Sequence, residues 1–127
     1  MSRFFFLLLL TSMIFACAPA AEKDTTLVDS SQAQSMLQAN KAMVLLDVRT
    51  PEEFASGHIS GAQNLDYYQN FETQIASLDK NQEYLVYCAV GGRSGQASAQ
   101  MKELGFNVKD LQGGIKAWKS AGLPLEK

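Results

Sequence analysis

Histidine is nearly missing from this chain: His58 is the only one in 127 residues. Its solitude rules out a histidine-built metal cluster. Cysteine is almost as scarce, with Cys17 and Cys88 alone, so each needs a reason of its own. An excess of positive charge is lacking too. Eleven lysines and arginines face 13 acids, for a net charge of -2, and no basic cluster stands anywhere along the chain. That balance offers nucleic acid no electrostatic footprint. Internal repeats, low-complexity tracts, nucleotide-binding loops, paired catalytic carboxylates and coiled-coil heptads are absent. What is present, 46% hydrophobic and 19% charged residues, suits one globular domain and hardly two.

The first residues do not belong to that domain. A short basic start, Met1-Ser2-Arg3, precedes a nearly unbroken apolar run over residues 4–15. The run falls short of the about 20 residues that span a bilayer and fits the apolar core of an export signal. It ends in Ile14-Phe15-Ala16-Cys17, which resembles the lipobox of bacterial lipoproteins. That resemblance implies a signal peptide over residues 1–16 and acylation of Cys17. The alternative is an ordinary secretory signal cut near Ala18-Pro19-Ala20-Ala21. Residues 17–26 are small, polar and charged, and read as a tether with a reach of roughly 15–20 Å. The expected product is exported and lipid-anchored in the periplasm, at the outer membrane if the source is Gram-negative. With Cys17 lipidated, Cys88 has no disulfide partner in the chain and stands out as a reactive thiol; the alternative is a buried small hydrophobe.

The folded part is expected over residues 27–127. Asp29, Ser30 or Ser31 can cap a helix running through Asn40, with Met36 and Leu37 facing inward. Continuous apolar runs at residues 43–48 and 84–87 predict strands buried on both faces, as in a parallel sheet. Pro51, Glu52 and Glu53 open a second helix. Further expectations are a turn at Gly57, a strand at 62–65, a helix at 71–78, a strand at 108–111 and a helix at 115–121. Ala97, Met101 and Leu104 form one helical stripe, stopped by Gly105. Alternating strands and helices make this an α/β fold with a mostly parallel sheet.

The chemistry gathers at Cys88-Ala89-Val90-Gly91-Gly92-Arg93-Ser94, where a buried strand ends, a glycine loop follows and Ser94 begins a helix. Ligands of open α/β sheets bind beyond the carboxyl ends of strands. Gly91 and Gly92 offer backbone angles forbidden to other residues and keep side chains away. A loop curling back over Cys88 would aim its N–H groups at the sulfur and form an anion-binding nest. Such surroundings lower a thiol pKa from about 8.5 to between roughly 3.5 and 7.5. Arg93 adds a permanent positive charge.

This loop resembles the C-x-x-G-x-R-S/T loop of the rhodaneses, a family of sulfurtransferases. Asp47-Val48-Arg49-Thr50-Pro51-Glu52-Glu53-Phe54 is similar to the family's D-V-R-x-x-x-E-[FY], and Gly57-His58-Ile59-Ser60-Gly61-Ala62 to its G-H-I-x-G-A. Gly113-Gly114-Ile115 with Trp118 matches the terminal G-G-x-x-x-W. Four motifs in order are a specific signal. The resemblance implies a rhodanese-like three-layer sandwich, a mostly parallel sheet of about five strands with helices on both faces. It implies a Cys88 persulfide, cradled by the N–H groups of Ala89, Val90, Gly91, Gly92, Arg93 and Ser94, with neither metal nor organic cofactor. The donor would be thiosulfate, a polysulfide or a persulfide, the acceptor a thiol or cyanide, and the protein a monomer. A non-turnover persulfide carrier, sulfide sensor or docking module with the same fold is the alternative. Protein tyrosine phosphatases use C-x5-R, whereas the C-x4-R spacing here makes a tighter bowl. Asp47, Arg49 and His58 are expected to be scaffold near the site, with Arg49 pairing Glu53 or a loop carbonyl. Trp118 is expected to pack, and Arg93 either binds substrate or braces the loop.

Overall fold

The computed structural model describes residues 26–127. The expectations for residues 1–16, for Cys17 and for the tether as far as residue 25 lie outside that range. Two helices begin on reciprocal side-chain caps. The Asp29 carboxylate accepts the Gln32 N–H at 2.8 Å, while Gln32 accepts the Asp29 N–H at 2.9 Å. Helix α1 (Ser30–Ala39) follows the short strand β1 (Leu27–Val28). Thr50 and Glu53 make the same exchange at the start of α2 (Pro51–Ser56), with proline in the first turn. Each N-cap of this kind stabilises its helix by about 1 kcal/mol. The remaining elements are β2 (Val44–Asp47), β3 (His58–Ile59), β4 (Gln63–Asn64), α3 (Phe71–Ala76), β5 (Glu83–Tyr87), α4 (Gly92–Glu103), β6 (Asn107–Leu111), α5 (Gly114–Ser120) and β7 (Leu125–Glu126).

Five strands form one sheet in the order β1-β6-β5-β2-β4, every neighbouring pair parallel. A separate antiparallel ribbon joins β3 to β7, setting His58 opposite Glu126 and Ile59 opposite Leu125. The apolar run at 84–87 forms the central strand and is buried on both faces. Tyr84 and Val86, with Cys88 beyond the strand end, point into a core holding Phe71, Ile75, Ala97, Met101 and Phe106. Leu85 and Tyr87 point into the opposite core, with Ala33, Ile59, Leu111, Ile115 and Trp118. This alternation places α3 and α4 on one face and α1 and α5 on the other, giving three layers. A fully buried Leu or Val in either core contributes roughly 1.5–3 kcal/mol.

Some local expectations are corrected. Leu104 is not inward: it is the C-cap of α4 and 40% exposed, while Ala97 and Met101 are fully buried. The left-handed Gly105, with φ +89°, ends that helix as its sequence position indicates. Met36 and Leu37 pack on the core only in part, and Ser30 and Ala33 are the buried residues of α1. The strand expected at 62–65 shortens to two residues because β4 is the sheet edge and pairs only with β2.

Candidate active site

Cys88 follows directly on β5, which lies between β6 and β2. From β2 the chain passes to β4 on one side of it, and from β4 it crosses back to β5 on the other. This reversal opens a crevice at the carboxyl ends of the strands. The loop of residues 88–91 enters α4 at Gly92, two residues before the Ser94 start expected. Only Gly91 needs a glycine's backbone freedom there, at φ +117°; Gly92 does not hold a positive φ, which corrects that expectation.

The loop does fold back on the sulfur. The Gly91 N–H donates to Cys88 Sγ at 3.1 Å. The Ser94 hydroxyl lies within reach of both the Gly91 carbonyl, at 3.4 Å, and the sulfur. Burial by itself pushes the Cys88 thiol up. The Ser94 hydroxyl and the N–H groups of Ser94, Gly91 and Val90 outweigh burial and hold the thiol below its ordinary range. The result is a nucleophile that is 1% exposed as a whole residue, at the floor of a bowl of donors. Val90, 63% exposed, and Tyr68, 64% exposed, carry apolar surface into solvent, and Tyr68 lies under the Arg93 guanidinium at 5.7 Å.

The structure pairs Arg93 with Glu53. Nη1 and Nη2 donate to the two carboxylate oxygens at 2.7 and 3.0 Å, a bidentate fork that ties α4 to α2. Arg49 therefore does not pair with Glu53, as expected as one option. It lies against Asp47 at 2.7 Å and donates to the Gly57 carbonyl at 2.7 Å, the second option. The Arg93 hydrogen bonds, first, hold the Glu53 carboxyl down at about 2, against its ordinary 4.5. A carboxyl depressed in the fold stabilises above its unfolded value and loses that contribution as pH falls toward the folded value. Glu53→Gln is expected to cost about 1 kcal/mol at neutral pH, the pair being partly solvated. Urea titrations should show this gap closing from about pH 4.5 down to about pH 2. A gap independent of pH would mean the pair contributes no charge stabilisation.

Asp47, Arg49 and Tyr87 form a buried network at the ends of β2 and β5. Asp47 is fully buried and accepts from the Arg49 N–H, Nε and Nη2 and from the Tyr87 hydroxyl at 2.7 Å. Tyr87 in turn accepts the Ile59 N–H at 3.0 Å. Burial and the Asp47 carboxylate push the Tyr87 phenol well above its ordinary range, so it remains a donor. His58 stacks on Phe54, with ring centroids 3.8 Å apart, and sets Nδ1 3.0 Å from the Phe54 carbonyl. Its Nε2 is 3.3 Å from Glu126. These contacts tie β2, β3 and β5 together, and Tyr87 lies in the core opposite that of Cys88. Trp118 packs, donating Nε1–H to the Pro124 carbonyl.

Sequence reasoning missed three supports of this site: Glu53, Tyr87 and the start of α5. The Ile115 N–H donates to the Cys88 carbonyl at 2.9 Å and the Lys116 N–H to the Ala89 carbonyl at 3.2 Å. The signal was present in the adjacent glycines 113 and 114. A cleft of about 420 Å³ floored by Leu37, Met43, Leu45, Ile59 and Trp118 includes no residue of the Cys88 loop. Among the described residues no three metal-ligating side chains converge.

Known proteins can now be set beside this geometry. The rhodanese-like domain profile matches residues 29–121. A sulfurtransferase of Allochromatium vinosum is 34% identical over 99 residues, covering 77% of this chain and 92% of its own. The chloroplastic thiosulfate sulfurtransferase 16 of Arabidopsis thaliana is 41% identical over 93 residues, 64% of this chain and 78% of its own. Among solved structures, a rhodanese-related protein of Thermoplasma volcanium superposes with a TM-score of 0.72 at 30% identity, covering 78% of this chain and 95% of its own. Relatives named for sulfur transfer support a sulfur-transfer role in general. A profile match across most of the chain, on a fold shared with rhodanese-related structures, makes this chain a member of the rhodanese-like domain family.

Proposed function

We propose that the protein is a sulfurtransferase that moves a sulfane sulfur through a persulfide on Cys88. The observation carrying this reading is the thiol at the floor of a bowl of N–H donors. With thiosulfate as donor, the Cys88 thiolate attacks the outer sulfur. A new S–S bond forms, the old one breaks, and sulfite leaves with the electron pair. The persulfide's terminal sulfur is anionic and replaces the thiolate as the charge held by the loop N–H groups. An acceptor, cyanide or a thiolate, then attacks that outer sulfur and returns the Cys88 thiolate. No electron is gained or lost overall, and no proton has to move, which suits a site where the sole histidine is engaged with Phe54 and Glu126. Polysulfides and organic persulfides serve the same chemistry with a thiolate or a shorter polysulfide as leaving group. Initial rates against both substrates should give the parallel lines of double displacement. Converging lines would mean that donor and acceptor bind together and that no covalent enzyme form is released between them.

The same proposal places the domain at a membrane surface, on the evidence of Ile14-Phe15-Ala16-Cys17 ahead of a polar stretch. Among the described residues no helix is long and apolar enough to cross a membrane; the attachment proposed is a lipid at Cys17. Expressed in a bacterium that acylates lipoproteins, the full chain should sediment with membranes, and Cys17→Ala should release or mislocalise it. A freely soluble mature protein beginning near Ala20 would overturn the anchor and leave the chemistry of Cys88 untouched.

A further inference from the structure

We propose that the turn opening α5, and Gly114 above all, is a positioning element for sulfur transfer that sets the reactivity of Cys88 through the peptide planes of the catalytic loop. The argument starts from the two adjacent glycines, both in the left-handed region with φ +77° at Gly113 and +59° at Gly114. A Cβ on Gly114 would lie 2.5 Å from the Cys88 carbonyl oxygen and 2.6 Å from the carbonyl carbon and oxygen of Ala89. No side chain fits there, and its absence lets α5 descend onto the loop backbone.

What that approach achieves is a pair of hydrogen bonds: Ile115 N–H to the Cys88 carbonyl and Lys116 N–H to the Ala89 carbonyl, at 2.9 and 3.2 Å. Neither donor has an intrahelical partner at the start of a helix, so both are free to serve the loop. In a trans peptide the carbonyl and the following N–H point in opposite directions, and the described residues contain no cis bond. Drawing the carbonyls of Cys88 and Ala89 toward α5 therefore turns the N–H groups of Ala89 and Val90 away from it. The sulfur lies on that far side. Cys88 belongs to the core on the α4 face of the sheet, whereas Ile115 and Trp118 belong to the opposite core. The Val90 N–H is one of the groups that stabilise the thiolate. Helix α5 thus acts on the sulfur from behind, through the peptide unit that joins the Ala89 carbonyl to the Val90 N–H.

The inference rests on Cys88 being the reactive thiol of the proposed function, but alkylation needs no sulfur donor, so the two fail separately. The test is the pH profile of iodoacetamide alkylation of Cys88 in the full chain, with circular dichroism and melting to verify the fold. Gly114→Ala should move the midpoint up toward the ordinary thiol value and slow persulfide loading at neutral pH by about ten- to a hundredfold. Lys116→Pro is the second variant: its side chain is exposed, and proline in the first helical turn removes an N–H that the helix does not use, while also restricting the backbone of Ile115 before it. It should move the midpoint in the same direction relative to Lys116→Ala, which loses the same side chain and keeps the N–H. If Gly114→Ala fails to fold, Lys116→Pro decides. A midpoint unchanged in folded Gly114→Ala, or equal in the two Lys116 variants, would overturn the proposal and leave α5 as packing alone. Loss of persulfide loading in wild type, with a shifted midpoint still seen, would instead count against the sulfur-transfer reading.

Discussion

Cys88→Ser should abolish sulfur uptake and turnover while leaving the fold in place. Serine matches cysteine in shape and adds a hydroxyl that the Gly91 N–H and Ser94 can satisfy, where Sγ now sits 3.1 Å from the Gly91 nitrogen. Stability should therefore change by no more than about 1 kcal/mol. The chemistry has no such tolerance. The bowl lowers the thiol pKa, but a hydroxyl starts far too high for the same donors to ionise it, and oxygen does not hold a sulfane sulfur. Rates of thiocyanate formation should fall to those of the uncatalysed reaction. Residual turnover above that level in a properly folded Cys88→Ser protein would mean that another group carries the sulfur.

The largest effect on stability is expected at Asp47. Its carboxylate is fully buried and receives the Arg49 guanidinium, the Arg49 N–H and the Tyr87 hydroxyl. Asp47→Ala leaves a buried guanidinium without its counter-charge, a loss of about 3–5 kcal/mol in buried pairs. The Gly57 carbonyl, 2.7 Å from Arg49 Nη2, cannot replace a charge. Asp47→Asn keeps the acceptor and should cost less. Double replacement, Asp47→Ala with Arg49→Met, should recover part of the loss, because it removes the orphaned charge. Urea unfolding of the four proteins measures all of this. A cost for Asp47→Ala below about 1 kcal/mol would mean that water reaches the network and compensates.

The fold was legible because its central strands are continuous apolar runs. Residues 84–87 are continuous apolar because both sheet faces are covered, and the cysteine that follows continues the alternation toward the α4 face. The first helix start was legible from its candidate caps, Asp29, Ser30 or Ser31, and the second from Pro51 with acids in its first turn, signals that act within four residues. What the sequence could not show were pairings across long separations. Glu53 and Arg93 are 40 residues apart, as are Asp47 and Tyr87. Charge alone made Glu53 as plausible a partner for Arg49, and only the packing of α2 against α4 decides between them. Leu104 failed for a different reason: its spacing continues the Ala97 and Met101 stripe, but the helix ends at Glu103, so the position leaves the core. The candidate site was legible in its nucleophile and loop, which are contiguous. Its rear support from Gly114 was written in sequence as a glycine pair whose purpose needs the three-dimensional approach of α5 to Cys88.

The central claim is that Cys88 carries one sulfur atom between donor and acceptor, and intact mass spectrometry of the purified protein tests it most directly. After exposure to thiosulfate, a polysulfide or an organic persulfide, followed by removal of the donor, the wild-type mass should rise by one sulfur atom. Peptide mapping should place that atom on Cys88, and cyanide should return the original mass with release of thiocyanate. Cys88→Ser should gain nothing under the same treatment. A wild-type mass unchanged by every sulfane donor, in protein whose Cys88 still alkylates, would contradict the account and leave a rhodanese fold without the transfer chemistry.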